Sequence, residues 1–231
     1  MKLAFQQAAI GYSIPFIQPL QMEVESPMLI GLVGSNGVGK STLLRTLCGL
    51  TPLLSGNIVL EEEVLSQMET SRLSEFITFL PNSKSFYQNL TVQELLVLSN
   101  RKASLFRVEA GSLTNYELEL LEVFGLQHLL QRKLASLSDG QYQLVSIVFA
   151  LARKTKLVLL DEPLAFLDIN NRKQFMDRVV ELVHRENRLV VFSSHDLAAL
   201  TKCTQLWQIE NNKLNIIEAV SIPAFCNQLM V

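Results

Sequence analysis

The apolar run Met28-Leu-Ile-Gly-Leu-Val33 and the loop behind it, Gly34-Ser35-Asn36-Gly37-Val38-Gly39-Lys40-Ser41-Thr42, constrain this chain more than any other segment. A short, continuously apolar run bounded by glycine reads as a strand buried on both faces, and so as part of a parallel sheet. Leu43, Leu44, Leu47 and Leu50 then recur at helical spacing. The order is strand, glycine loop, helix, the context that gives Gly-x-x-x-x-Gly-Lys-Ser its meaning as a Walker A loop. Glycines let backbone N–H groups converge on phosphate oxygens, and the helix N-terminus adds positive potential. Lys40 is expected to reach the β- and γ-phosphates of a nucleotide, with the Ser41 hydroxyl on Mg²⁺. The competing reading, a glycine-rich turn that only caps a helix, leaves the flanking strand and the lysine unexplained.

A second apolar run, Leu157-Val-Leu-Leu160, ends in Asp161-Glu162. Carboxylates at the C-terminal mouth of a parallel sheet lie where ligands bind in such folds. Taken alone they are an ordinary polar strand end. Paired with the glycine loop, Asp161 is expected in the Mg²⁺ shell and Glu162 beside the attacking water.

Leu189-Val-Val-Phe192 reads as another buried strand, and Phe175, Met176, Val179, Val180, Leu182 and Val183 mark an amphipathic helix before it. Thr91–Glu94, Thr114–Glu117 and Ser138–Gln141 have capping-box spacing, each followed by leucine-rich or valine-rich periodicity. Residues 205–218 read as a hairpin turning at Asn211-Asn212, ahead of a short terminal helix. Alternating strands and helices argue one α/β domain over 1–231, with a mainly parallel sheet and an antiparallel N-terminal edge. A helical insertion is expected at about 82–140.

Composition narrows the setting. Charged residues are 18% and apolar residues 48% of the 231, while Lys+Arg 20 against Asp+Glu 22 leaves a net charge of −2. No basic face is evident, which disfavours nucleic acid as a partner. No run reaches the length of a membrane span, and Leu3–Met22, interrupted by Gln6, Gln7, Gln18, Gln21, Pro15 and Pro19, lacks a signal-peptide centre. The expectation is a cytoplasmic protein with an apolar partner surface. Cys48, Cys203 and Cys226 are odd in number without CxxC spacing, so they read as small apolar residues, not as a disulfide framework or zinc site.

With these pieces in place the chain resembles the ATP-binding-cassette (ABC) ATPase family, from about Leu3 to Glu210. Leu137-Ser138-Asp139-Gly140-Gln141 is similar to the family signature Leu-Ser-Gly-Gly-Gln. The resemblance implies a P-loop NTPase core with an N-terminal antiparallel β subdomain and an inserted helical subdomain. It implies a head-to-tail homodimer in which the signature of one protomer closes on ATP held by the other. It also implies that Tyr12 stacks on adenine, the alternative being an aromatic packed at a strand edge. Asp168, in Ala165-Phe-Leu-Asp168, would communicate across the dimer and cap the next helix. His195, in Ser193-Ser-His-Asp-Leu197, would contact the γ-phosphate; His128 and His184 match nothing and are expected to face solvent.

Two positions depart from the family pattern. Asn82 stands where glutamine normally ligates Mg²⁺, one methylene shorter, and Asp139 replaces the first signature glycine and is expected to point away from phosphate. The run Phe166–Arg172, with Asp196-Leu197 and Leu206-Trp207, looks most like ATPases serving iron–siderophore, haem or cobalamin importers. That likeness implies a peripheral subunit on the cytoplasmic face of the inner or plasma membrane. Residues 82–98 would grip an integral-membrane permease, which an external substrate-binding protein would supply. The alternatives are a soluble ABC ATPase, for instance of iron–sulfur assembly, or a nucleotide switch with little hydrolysis.

Overall fold

The computed structural model describes residues 1–83, 89–99 and 113–228. The apolar runs are strands of one six-stranded sheet: β3 (Met28–Val33), β7 (Leu157–Leu160) and β8 (Leu189–Ser193), the last two buried throughout. With β6 (Ile77–Leu80), β9 (Gln205–Glu210) and β10 (Lys213–Glu218) the order is β10-β9-β3-β8-β7-β6. Every pairing is parallel except β9 with β10, which turns at Asn211 and Asn212 with φ of 49° and 59°. Positive φ at both central residues is what a two-residue hairpin of the strand-matching hand requires. A second, antiparallel sheet is ordered β2-β1-β4-β5 from β1 (Lys2–Ala9), β2 (Leu20–Glu25), β4 (Ser55–Leu60) and β5 (Glu63–Val64).

Helix α1 (Lys40–Leu47) buries Leu43, Leu44 and Leu47 in a core shared by both sheets, with Leu3, Phe5, Ile58 and Trp207. Phe5 and Trp207 meet edge to face at 5.9 Å. Leu50 does not continue this helical face: Gly49, at φ 77°, turns the chain, and Leu50 is 67% exposed. A left-handed glycine just past the last turn is a usual helix stop.

The other face of the large sheet carries α5 (Asp139–Ala152), α6 (Ile169–Arg185), α7 (Leu197–Leu200) and α8 (Ile222–Gln228), which share one core. The described part of 82–140 is helical: α3 (Val92–Ser99) and α4 (Asn115–Val123) pack on α5. All three capping boxes form, at Thr91–Glu94, Thr114–Glu117 and Ser138–Gln141. Short α2 (Thr70–Phe76) completes the α-helices among the described residues. Cys203 and Cys226 are buried and Cys48 half-buried, and burial pushes the Cys203 thiol up. No helix among the described residues is long and apolar enough to cross a membrane.

Candidate active site

The glycine loop leaves the C-terminal end of β3 and enters α1 at Gly39, where φ is 111°. A Cβ there would stand 2.4 Å from the Phe16 ring, so both the backbone angle and the packing demand glycine. The Lys40 ammonium is turned back into the loop. It donates to Gly34 O at 2.8 Å and Ser35 O at 3.2 Å, and lies 3.1 Å from His195 Nε2. Burial holds its pKa below the ordinary lysine value, against the pull of Glu162 and Asp161. Ser35, Asn36, Gly37 and Ser41 are exposed, and Gly34, Val38, Gly39 and Thr42 half-buried.

Asp161 and Glu162 follow β7 on the neighbouring side. Ser193, fully buried at the end of β8, latches both: its hydroxyl donates to Asp161 Oδ1 at 2.7 Å and accepts the Glu162 N–H at 2.8 Å. Glu162 is held at φ 50°, a left-handed conformation of the kind that persists where surroundings over-determine it. Its carboxylate lies 3.5 Å from His195 Nε2. Lys40, Glu162 and His195 thus meet at one mouth of the sheet, with Asp161 beside them.

Helix α5 starts at the exposed Ser138, whose hydroxyl accepts the Gln141 N–H while Gln141 Oε1 accepts the Ser138 N–H. A Cβ on Gly140 would come within 3.0 Å of Phe166 O, so this turn rests on the loop preceding α6. Asp168 caps α6, accepting from Asn171 N at 2.9 Å and Asn171 Nδ2 at 2.8 Å. Asp139 and Asn82, in different segments, line one small cavity of about 70 Å³ with Ser83, Tyr142, Gln143 and Phe166. Tyr12 is 68% exposed in the β1–β2 connection. A larger cavity of about 490 Å³ opens beside Gly34 and Ser35, against His195, Ile209 and Phe225, and does not include Lys40 or Ser41.

The ABC transporter family profile matches residues 17–165, most of the chain. An ABC transporter ATP-binding protein of Haemophilus influenzae is 34% identical over 85% of this chain and 75% of its own length. The chain belongs to the ABC transporter family. The petrobactin import ATP-binding protein FpuD of Bacillus anthracis is 32% identical over 78% of this chain and 67% of its own length. Relatives named for sn-glycerol-3-phosphate, achromobactin and maltose/maltodextrin transport match as well. The solved ATP binding subunit of an ABC transporter shares the fold, with a TM-score of 0.81 at 24% identity over 98% of this chain and 94% of that one.

This chain is therefore an ABC ATPase, an ATP-binding subunit that hydrolyses ATP. Among its described residues no three His, Cys, Asp or Glu side chains cluster as a metal site. Mg²⁺ takes one or two protein oxygens and completes its shell with phosphate and water. Asp161 offers Oδ2, since only Oδ1 accepts from Ser193, and Ser41 and Asn82 offer exposed oxygens. Two residues beside these groups escaped sequence reading. Ser193 lies inside a motif read for its neighbours, and only its bonds reveal it. Phe16, on Gly39, sits in a loop where Tyr12 drew attention as the aromatic.

Proposed function

We propose that two copies of this chain close head to tail over two ATP molecules and drive a membrane permease that imports an iron–siderophore, haem or cobalamin type of substrate. The observation that carries the site reading is the convergence of Lys40, Glu162 and His195 at the sheet mouth, next to an anion-ready glycine loop. Backbone N–H groups of Gly34–Thr42 cradle the phosphates, and Lys40 exchanges its carbonyl partners for β- and γ-phosphate oxygens. Ser41, Asp161 and Asn82 would hold Mg²⁺, which would supply charge neutralisation for the phosphates. Glu162 orients the attacking water and accepts its proton, and His195 contacts the γ-phosphate.

Tyr12, exposed in the β1–β2 connection, stacks on the base. Ser138, Asp139, Gly140 and Gln141 present a capped helix N-terminus to the partner's nucleotide, and Asp168 faces the same junction. The importer class is supported by relatives named for petrobactin and achromobactin, and by the likeness of the Phe166–Arg172 run. The permease contact would include Asn82 and residues up to 98, of which 84–88 lie outside the described residues. The subunit would sit on the cytoplasmic face of the membrane, with the permease and an external binding protein setting the cargo.

The test is ATP hydrolysis by wild type and Glu162→Gln, with light scattering in ATP and Mg²⁺. Turnover by wild type alone, with the variant trapped as an ATP-bound dimer, is the expected result; full turnover by the variant would sink the assignment. Reconstitution with candidate permeases then separates iron-chelate cargo from sugar or glycerol phosphate.

A further inference from the structure

The loop between Asp161 and α6 touches two parts of the site at once. On one side it rests on the first turns of α5: Gln143 Nε2 donates to Pro163 O at 3.1 Å, and Gly140 packs under Phe166 O. On the other side stands Arg172, in the first turn of α6. Its Nε–H donates to Leu167 O at 2.7 Å, and its Nη1 donates to Asp196 Oδ2 at 2.9 Å. The second Asp196 oxygen accepts the Ala199 N–H at 3.0 Å, and the Asp196 N–H donates to Ser194 Oγ at 3.0 Å. The residue between Ser194 and Asp196 is His195, 3.1 Å from Lys40 and 3.5 Å from Glu162.

We propose that Arg172 is a positioning residue: it clamps the 163–168 loop to the Ser194–Asp196 segment, so that the placement of His195 follows the loop that lies against the Ser138–Gln141 turn. This inference rests on the ATPase reading of the site. A planar guanidinium fixes two acceptors from two segments at a set separation, which a lysine's single ammonium does not. The pair is also partly open to solvent, with Arg172 36% and Asp196 18% exposed. Partly exposed pairs add little stability. The bond therefore sets geometry more than it holds the fold.

That difference supplies the test. The chain has three histidines, so ring-labelled protein gives three imidazole signals, assigned with His128→Gln and His184→Gln. In nucleotide-free Arg172→Ala, the His195 ring signal should move while those of His128 and His184 stay. Arg172→Lys should restore only part of the shift, and Asp196→Asn should reproduce it. The melting temperature should change by only about 2–4 °C, as loss of roughly 1 kcal/mol gives in a chain of this size. In ATP hydrolysis, kcat should fall about tenfold to hundredfold, as slight misplacement does, with KM little changed. An unmoved His195 signal in Arg172→Ala overturns the proposal. A moved signal in a protein that hydrolyses no ATP keeps the clamp and discards the ATPase reading.

Discussion

Lys40 carries its charge in a place that resists it. Burial lowers its pKa from the ordinary lysine value, and the neighbouring carboxylates only partly offset this. A bound triphosphate adds negative charge and must raise that pKa again. ATP binding is therefore coupled to proton uptake at pH values near and above the lowered pKa, and affinity weakens as pH rises through it. Calorimetry in two buffers of different ionisation enthalpy should find this uptake in wild type and lose its Lys40 part in Lys40→Met. For folding the sign is opposite to that of an ion-paired lysine. Between the lowered value and 10.5 the unfolded chain binds more protons, so this group's contribution to stability improves as pH rises across that window. A second prediction concerns Asn82 and Asp139, the two departures from the family pattern, which line the same small cavity. One position loses a methylene and the other gains a carboxymethyl group. The single reversions Asn82→Gln and Asp139→Gly should each impair turnover or melting, and the double reversion should recover part of the loss. A coupling of about 0.5–3 kcal/mol is expected for neighbours sharing a cavity, and strictly additive effects would remove the link.

At the scale of elements, β3 and α7 are set by one glycine. A Cβ on Gly31 would lie 2.5 Å from Leu200 Cδ2 and 2.7 Å from Leu206 Cδ2. Gly31→Ala should lower stability by about 1–3 kcal/mol, the usual range for an overpacked core, and should displace α7 and the His195 segment with it. Urea titration and ATP turnover should therefore fall together; a stable but inactive variant would mean the strain is taken up at α7 alone. Much at this scale was legible in the sequence, because it is local. The strand–glycine loop–helix unit, three capping boxes and the Asn211-Asn212 turn each follow from residues within a few positions of one another. Helix α2 was not legible, since it has no buried face and so no apolar stripe to read. The bonds of Ser193 and Arg172 were not legible either. Ser193 acts on residues 31 and 32 positions away and Arg172 on one 24 away, and no local pattern encodes such partners. The roles of the site residues came from motif and resemblance; the structure adds which of them meet.

In the whole molecule, one buried cluster ties the helical segment to the parallel sheet. Arg188, just ahead of β8 and 3% exposed, donates through Nη1 to Leu151 O of α5 at 2.8 Å and through Nη2 to the Tyr116 hydroxyl of α4 at 3.0 Å. It also pairs with Glu186 at 2.5 Å, whose carboxylate oxygens lie 2.8 and 2.9 Å from the same hydroxyl. Burial pushes the Tyr116 phenol well above its ordinary range, so it remains a protonated donor throughout the working pH. Three helices and a strand thus converge on one guanidinium. Removing it leaves a carboxylate, a phenol and a helix-end carbonyl without their shared cation. Breaking such a buried pair by deleting one partner typically costs about 3–5 kcal/mol. For a chain of this length that corresponds to a melting point lower by about 6–20 °C. Glu186 keeps Arg185 at 3.2 Å, which argues for the lower half of the range in Arg188→Met. Tyr116→Phe, which removes one hydroxyl and leaves both ions paired, should cost only about 1 kcal/mol. Scanning calorimetry should rank the two variants in that order, and amide exchange should quicken in α4 before it does in β8. Wild-type melting points in both variants would mean that α4 is held by its leucines alone, and that the polar cluster adds nothing to the joint between helical segment and sheet.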